Sequence, residues 1–460
     1  MATLKTLVAA ACLLVALFAG EARGKREWAV LVCGSRGYFN YRHHADVCHA
    51  YQTLRRRGIP DERIITMMYD DVANDRRNPF PGQLFNRPTN GSNAIDVYKG
   101  CLKDYTGPAV TPENFLNVIR GEHEKMLGIG SGKVLNSTAE DDVFINFVDH
   151  GAPGLIAFPT GELRAKPLLE ALEVMYEKKM YDNLVFYMEA CESGSMFQKL
   201  PTGRNVYAVT AANARESSWA TYCPPLQDKV NGVNLNTCLG DDFSIRWLED
   251  TDSENADGRE TLLQQYQRVR AKTKKSHVLD FGDIKRIAAD DISNFLGDPA
   301  PEEDNPFAKA LREEALNDDE NALVDSRDVP FVSKFYRYMR HKTPEAEMEL
   351  HEEMAHRKHV DALFAKITNA LLTDDDDITE ALSAVPPTNP SEWSCHEETH
   401  RFFKSMCTDG KGFSDYSLKY SATLLTLCEK LSAKAKTRAG HISQILSTMA
   451  EVCNDRVSVE

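Results

Sequence analysis

The sequence predicts an α/β domain built on a mainly parallel sheet with helices on both faces, followed by an all-α C-terminal module. Three observations predict it. Short runs that are apolar almost throughout alternate with longer helical patterns from Trp28 to about Lys275, as strands buried on both faces do. The composition turns to Pro, Asp, Glu and Asn between Gly297 and Asp328, which marks an exposed connection. Beyond it the pattern is nearly all helical and holds Cys395, Cys407, Cys428 and Cys453, which in a small secreted module indicates two disulfides.

Lys5, an apolar run from Leu7 to Phe18, and small residues at Gly20 and Ala22 predict a signal peptide over residues 1–22. The predicted strands are Glu27–Cys33, Ile64–Tyr69, Val143–Val148, Leu184–Glu189 and Val206–Ala211, with helices over Tyr41–Arg57, Pro112–Leu127 and Lys166–Lys179. They fill a domain over 27–296. An exposed linker over 297–344 and a helical module over 345–460 complete the division. No later stretch has the ~20 continuous apolar residues of a membrane-spanning helix, so no membrane anchor is expected. With 54 basic against 69 acidic residues, the chain lacks the basic balance of a nucleic-acid binder. Asn90-Gly91-Ser92 and Asn136-Ser137-Thr138 are glycosylation acceptor sequences.

Two strand ends carry the chemistry. Val143 to Val148 runs into Asp149-His150-Gly151, and Leu184 to Glu189 runs into Ala190-Cys191-Glu192-Ser193-Gly194. On adjacent parallel strands these ends share one edge of the sheet, where an imidazole can take the thiol proton and leave a nucleophilic thiolate. Histidine then cysteine, 41 residues apart, is close to the caspase arrangement. Gly151 and Cys191 can offer backbone N–H groups to a developing oxyanion. A lone cysteine after a strand is more often structural; it is the joint position of the two residues that argues for catalysis. No metal site is expected: His351 and His356 are five residues apart, which puts them on different faces of a helix.

The chain resembles the legumains, asparaginyl endopeptidases of lysosomes and plant vacuoles, over essentially its whole length. The resemblance rests on the run from Gly34 to Asp46, on Met68-Tyr69-Asp70-Asp71, Asp149-His150-Gly151, Glu189 to Gly194, Arg215-Glu216-Ser217-Ser218 and Leu239-Gly240-Asp241. It implies a caspase-like fold, His150 and Cys191 as catalytic pair, Asn40 orienting the imidazole, Asp149 as a succinimide candidate, and a C-terminal inhibitory prodomain removed at acid pH. An asparagine side chain needs a donor and an acceptor at the pocket floor; Arg42 supplies the donor, Glu189 and Asp241 the acceptors, and the resemblance adds His43 and Ser218 to the lining.

By the same resemblance Cys223 pairs with Cys238, Cys395 with Cys428, and Cys407 with Cys453. Cys48, inside a helical pattern, is expected to be a core cysteine, and whether Cys33 and Cys101 pair with each other, with Cys48, or stay free is left open. The stretch from Pro330 to Pro344, where legumains carry their cleaved asparagine, has none, so activation cleavage is expected at Asn317 or Asn321. Core and tail are both acidic, so a latch between them has to be local, for example Lys430, Lys434, Lys436 and Arg438 facing core carboxylates. The implied partners are protein and peptide substrates, the chain's own prodomain and cystatin-type inhibitors, with no cofactor. The implied location is the secretory pathway, ending in the lysosome or vacuole or outside the cell. Peptide ligation is the alternative activity. A lipid-anchor transamidase subunit, the enzymatic rival, would carry a membrane helix and no four-cysteine module; a silent binding protein would not need His150, Cys191 and three charged pocket residues.

Overall fold

The computed structural model describes residues 25–89, 91, 94–253, 259–299, 301, 305–313, 322–408, 410, 412–434 and 438–454. The predicted signal peptide, Asn90, Asn317, Asn321 and Lys436 lie outside the described residues. The strands that matter here are β1 (Glu27–Cys33), β2 (Ile64–Met67), β3 (Asp142–Val148), β4 (Leu184–Glu189), β5 (Val206–Thr210), β6 (Trp219–Thr221), β7 (Gly240–Asp241), β8 (Leu279–Gly282) and β9 (Val324–Asp325). The main sheet has the order β8-β5-β4-β3-β1-β2. All of its pairings are parallel except β8 against β5. Every side chain of β3, β4 and β5 is buried, which is why these runs are apolar without alternation.

Alternate residues of β1 serve two cores. Ala29, Leu31 and Cys33 pack with α1 (Tyr41–Arg56) and with Phe243 and Trp247, while Val30 and Val32 pack with Phe115 of α2 (Pro112–Ile119) and Leu168 of α3 (Ala165–Glu177). The sheet is thus covered on both faces. The single helix expected over Pro112–Leu127 ends at Ile119 and resumes as a short turn over His123–Met126, because Gly121 takes φ +67, a left-handed value that stops a helix.

The linker differs from its expectation. Pro306–Glu313 is helical with Phe307 and Ala308 buried, β9 pairs antiparallel with β6, and Val329–His341 forms a helix. Ser326 and Arg327 are buried. Polar composition does not mark exposure here, because the surface that buries these residues is itself polar.

Helices α4 (Pro344–Leu371), α5 (Trp393–Met406), α6 (Ser421–Lys434) and α7 (Arg438–Asn454) build the C-terminal module. Thr343 caps α4 by accepting from the Ala346 N–H, with Pro344 in the first turn. Phe364, Phe403, Leu427 and Met449 meet in the module's own core. Cys395–Cys428 ties α5 to α6, and Cys407–Cys453 ties the end of α5 to α7. No helix among the described residues is long and apolar enough to cross a membrane.

One expectation is corrected here, and one question left open is decided. Lys430 pairs with Asp377 and Glu380, and Lys434 with Asp377, all inside the module, so these lysines do not reach the core carboxylates. Cys48 lies in the core and is bonded to Cys101, across a separation of 53 residues, while Cys33 is free and buried. Closing a loop of that length stabilises by about 4 kcal/mol in the chain-entropy account. Replacing Cys48 and Cys101 together by alanine should therefore lower the thermal midpoint by several degrees, and an unchanged melt would contradict this role.

Candidate active site

The carboxyl ends of β3, β4 and β1 converge, and the expected site residues gather there. His150 follows β3; its Nε2 is 2.9 Å from Asn40 Oδ1, and its Nδ1 is buried without a partner. Cys191 follows β4 and is fully buried. Its Sγ accepts from the Ser218 N–H at 3.3 Å and lies 3.7 Å from Ser218 Oγ. Gly151 stands so close to the Cys191 carbonyl that an added Cβ would lie 2.1 Å from the oxygen, so only glycine fits. Burial pushes the Cys191 thiol up to about 12, against the opposing pull of Arg327. The thiol is therefore held protonated as the chain stands.

A second cluster lies beside this pair. Arg42 is wholly buried; its Nε donates to Asp241 Oδ1 at 2.8 Å. Glu189 Oε2 accepts from Ser244 N and Oγ at 2.9 and 3.1 Å, while Oε1 has no partner. His43 Nδ1 meets Ser35 Oγ at 2.7 Å, and its Nε2 is 3.4 Å from Asp241 Oδ2. Burial, then the Asp241 carboxylate, pushes Glu189 well above its ordinary range, and the same causes act on Asp46. The Arg42 guanidinium thus sits on the buried Asp241 carboxylate, with the buried Glu189 and Asp46 carboxyl groups next to that carboxylate, so a donor and several acceptors converge here.

The connection between the domains runs through this cluster. The Ser326 N–H donates to the Ser218 carbonyl at 3.1 Å, and Arg42 donates to Ser326 Oγ at 2.6 Å. Arg327 reaches over the thiol to donate to the Gly151 carbonyl at 2.9 Å and to Glu192 Oε2 at 2.5 Å. From the C-terminal module, Asp415 Oδ2 lies 3.5 Å from His150 Nε2 and accepts from Asn40 Nδ2 at 3.2 Å. Burial alone would raise the Asp415 carboxyl, but His150, Asn40 and Arg42 outweigh it and hold it well below the ordinary range. The site is filled by the chain's own residues from two sides.

All the expected core site residues within the described segments, Asn40, Arg42, His43, Asp149, His150, Gly151, Glu189, Cys191, Ser218 and Asp241, are in or beside these two clusters; Asn136 is exposed on a distant loop. Four functional residues were not anticipated. Asp46 carried a usable signal, since it is one helical turn beyond Arg42 on the same face of α1, and its Oδ2 accepts from the Asp241 N–H at 3.0 Å. Ser326, Arg327 and Asp415 carried none, because only the tertiary fold brings them to the site.

Residues 27–298 match the peptidase C13 family, and residues 348–444 match the legumain prodomain. Human legumain is 41% identical over 420 residues, covering 88% of this chain and 90% of that protein. The vacuolar-processing enzyme delta-isozyme of Arabidopsis thaliana is 41% identical over 445 residues, covering 93% and 91%. Mouse legumain is 53% identical over 274 residues, or 60% of each chain. Caspase-1 from Spodoptera frugiperda superposes with a TM-score of 0.34 at 11% identity, over 60% of this chain and 91% of that one. The chain belongs to the peptidase C13 family and is a legumain-type cysteine endopeptidase, made as a zymogen with its prodomain.

Proposed function

We propose that this endopeptidase cuts on the carboxyl side of asparagine, with Cys191 as nucleophile and His150 as its base. The observation that carries the specificity is the Arg42 guanidinium, which donates to Ser326 Oγ and to Asp241, with Glu189 next to that carboxylate. An asparagine side chain in place of Ser326 would accept from Arg42 through its carbonyl and donate through its amide to a carboxylate oxygen. His43 and Ser218 complete the lining.

Once the connection has left, His150 Nδ1 takes the proton from Cys191 Sγ, and the sulfur attacks the scissile carbonyl. The Cys191 and Gly151 N–H groups hold the oxyanion. The tetrahedral species collapses as the amine leaves with the proton from His150, and a water deprotonated by the same imidazole then hydrolyses the thioester. Asn40 orients the ring through Nε2. Asp149 is the succinimide candidate: burial raises its carboxyl to about 7, which favours the neutral form from which the ring can close with loss of water. Residence in an acidic compartment of the secretory pathway, glycosylation at Asn136 and cleavage within the connection complete the reading.

Aspartate should enter the pocket only as the protonated acid, since its carboxylate would face buried carboxyl groups. With an ordinary carboxyl pKa near 3.9 the competent fraction grows about tenfold per pH unit on acidification. The rate ratio of Asp to Asn peptides should thus rise about 100-fold from pH 7 to 5 in the processed enzyme. A ratio that stays flat across that range would rule the pocket out.

A further inference from the structure

We propose that His43, Asp149 and His150 form a binding site for a divalent transition-metal ion of the zinc class, and that an ion there withholds the His150 imidazole from catalysis. One nitrogen of each ring and one Asp149 oxygen lie within 4.8 Å of one another, and all three side chains are buried. Ligands about 2.0–2.2 Å from a tetrahedral ion stand about 3.4 Å apart. His43 Nδ1 and Asp149 Oδ1 are already 3.6 Å apart, so small side-chain rotations would close the set.

Two of the three side chains have bonding capacity to spare. Asp149 Oδ1 and His150 Nδ1 are buried and lack a hydrogen-bond partner, and two such atoms in one cluster call for a physical reason. The far side of each ring faces an acceptor. His150 Nε2 faces Asn40 Oδ1 at 2.9 Å, which leaves the lone pair on Nδ1, and His43 Nε2 faces Asp241 Oδ2 at 3.4 Å, while His43 Nδ1 would exchange Ser35 Oγ, now at 2.7 Å, for the ion. Anchoring of this kind is what orients metal-binding imidazoles. Two imidazoles and one carboxylate make a donor set that zinc accepts with one position left for water. The Arg42 guanidinium nearby is neutralised by Asp241 at 2.8 Å. A cavity of about 640 Å³ between the core and the C-terminal module is lined by Asp149 and His150 and gives an ion a route in.

The inhibitory half of the proposal rests on His150 being the base; the binding half does not. Zinc is titrated calorimetrically into the full chain, as wild type and as Cys191→Ser, with cobalt as a spectroscopic substitute. One ion per chain should bind in both, and cobalt should show visible ligand-field bands without the near-ultraviolet charge-transfer band of a thiolate ligand. His43→Asn and Asp149→Asn should each weaken zinc at least tenfold, with melting curves reporting whether the variants fold. Loss of binding in Cys191→Ser, a thiolate band, or undiminished binding in both folded Asn variants overturns the site; should neither variant fold, the cobalt spectrum decides alone. In the processed enzyme zinc should inhibit at the concentration that fills the site, and a chelator should restore turnover. Zinc that binds as described and leaves turnover unchanged overturns the inhibitory half together with the assignment of His150. Absence of binding in an enzyme whose turnover still depends on Cys191 and His150 overturns only the metal site.

Discussion

Replacing Cys191 by serine should lower turnover of an asparagine peptide by about 10⁴- to 10⁶-fold, because loss of one member of a nucleophile–base unit removes nearly the whole covalent route. The variant keeps the shape of the site, since serine can still meet the Ser218 N–H and hydroxyl that now face Sγ. What it lacks is acidity: a hydroxyl yields no useful population of oxyanion near an imidazole base, whereas a thiol freed from burial does. Both proteins are processed by an added protease, so that failure to self-process is not mistaken for failure to turn over. A parallel measurement is the stoichiometry of alkylation. Cys33 is the other free cysteine among the described residues, buried, with its thiol pushed up by burial, so processed wild type should take up one equivalent rapidly and Cys191→Ser none. A serine variant that keeps even one hundredth of the wild-type rate would remove Cys191 from the mechanism.

The catalytic pair was legible because a strand buried on both faces announces itself by continuous apolar residues, and its end is then the place where a polar residue matters. β3 and β4 are of that kind. β8 was not anticipated: all four residues are only partly buried, and an edge strand of that sort has no distinctive pattern. The pocket was legible only in part. Arg42 and Asp241 are 199 positions apart, and without the family resemblance each has a commonplace surface or capping role. The connection misled for a definite reason. Val324 to Asp328 reads as a solvated run, yet Ser326 Oγ accepts from Arg42 and the Arg327 terminal nitrogens donate to Gly151 and Glu192 in a polar cleft, so most of their polar atoms are paired although buried. Asp415 is the same case from the C-terminal side, a carboxylate whose only distinguishing feature is its proximity to His150 and Asn40.

Docking of the C-terminal module should weaken as pH falls from about 6.5 towards 4.5, and two histidines of α5 should set the midpoint. His396 is buried, with Nε2 2.8 Å from Ser421 Oγ and Nδ1 3.4 Å from the Arg164 guanidinium. A guanidinium only donates, so Nδ1 must be the acceptor and the ring neutral. Burial first, then Arg164 and His400, holds its pKa well below the ordinary 6.5. His400 is stacked on Phe413, and burial lowers its pKa too, with Glu162 opposing and Arg164 and Lys404 adding to the fall. A base whose docked pKa is depressed contributes fully above its free pKa, and that contribution is lost as pH drops below it. Each such ring can weaken docking by up to about tenfold per pH unit, hence by up to about 10⁴ for two rings over two units. The interface carboxylates act elsewhere on the scale. For Glu162 burial is outweighed by His400, Lys404 and Arg164, which hold it near 2, so its contribution is lost only as pH falls below about 4.5. Asp149 and Glu192, each raised by burial to about 7, pull the other way to the extent that docking itself buries them. The test is the double variant His396→Gln, His400→Gln, whose side chains donate and accept as the neutral rings do and do not titrate. Release is followed by amide exchange in α5 and by tryptophan emission, since Trp393 lies against Gly154 at the interface. The variant's midpoint should fall by at least one pH unit; a midpoint equal to that of wild type would assign the trigger to carboxylates instead.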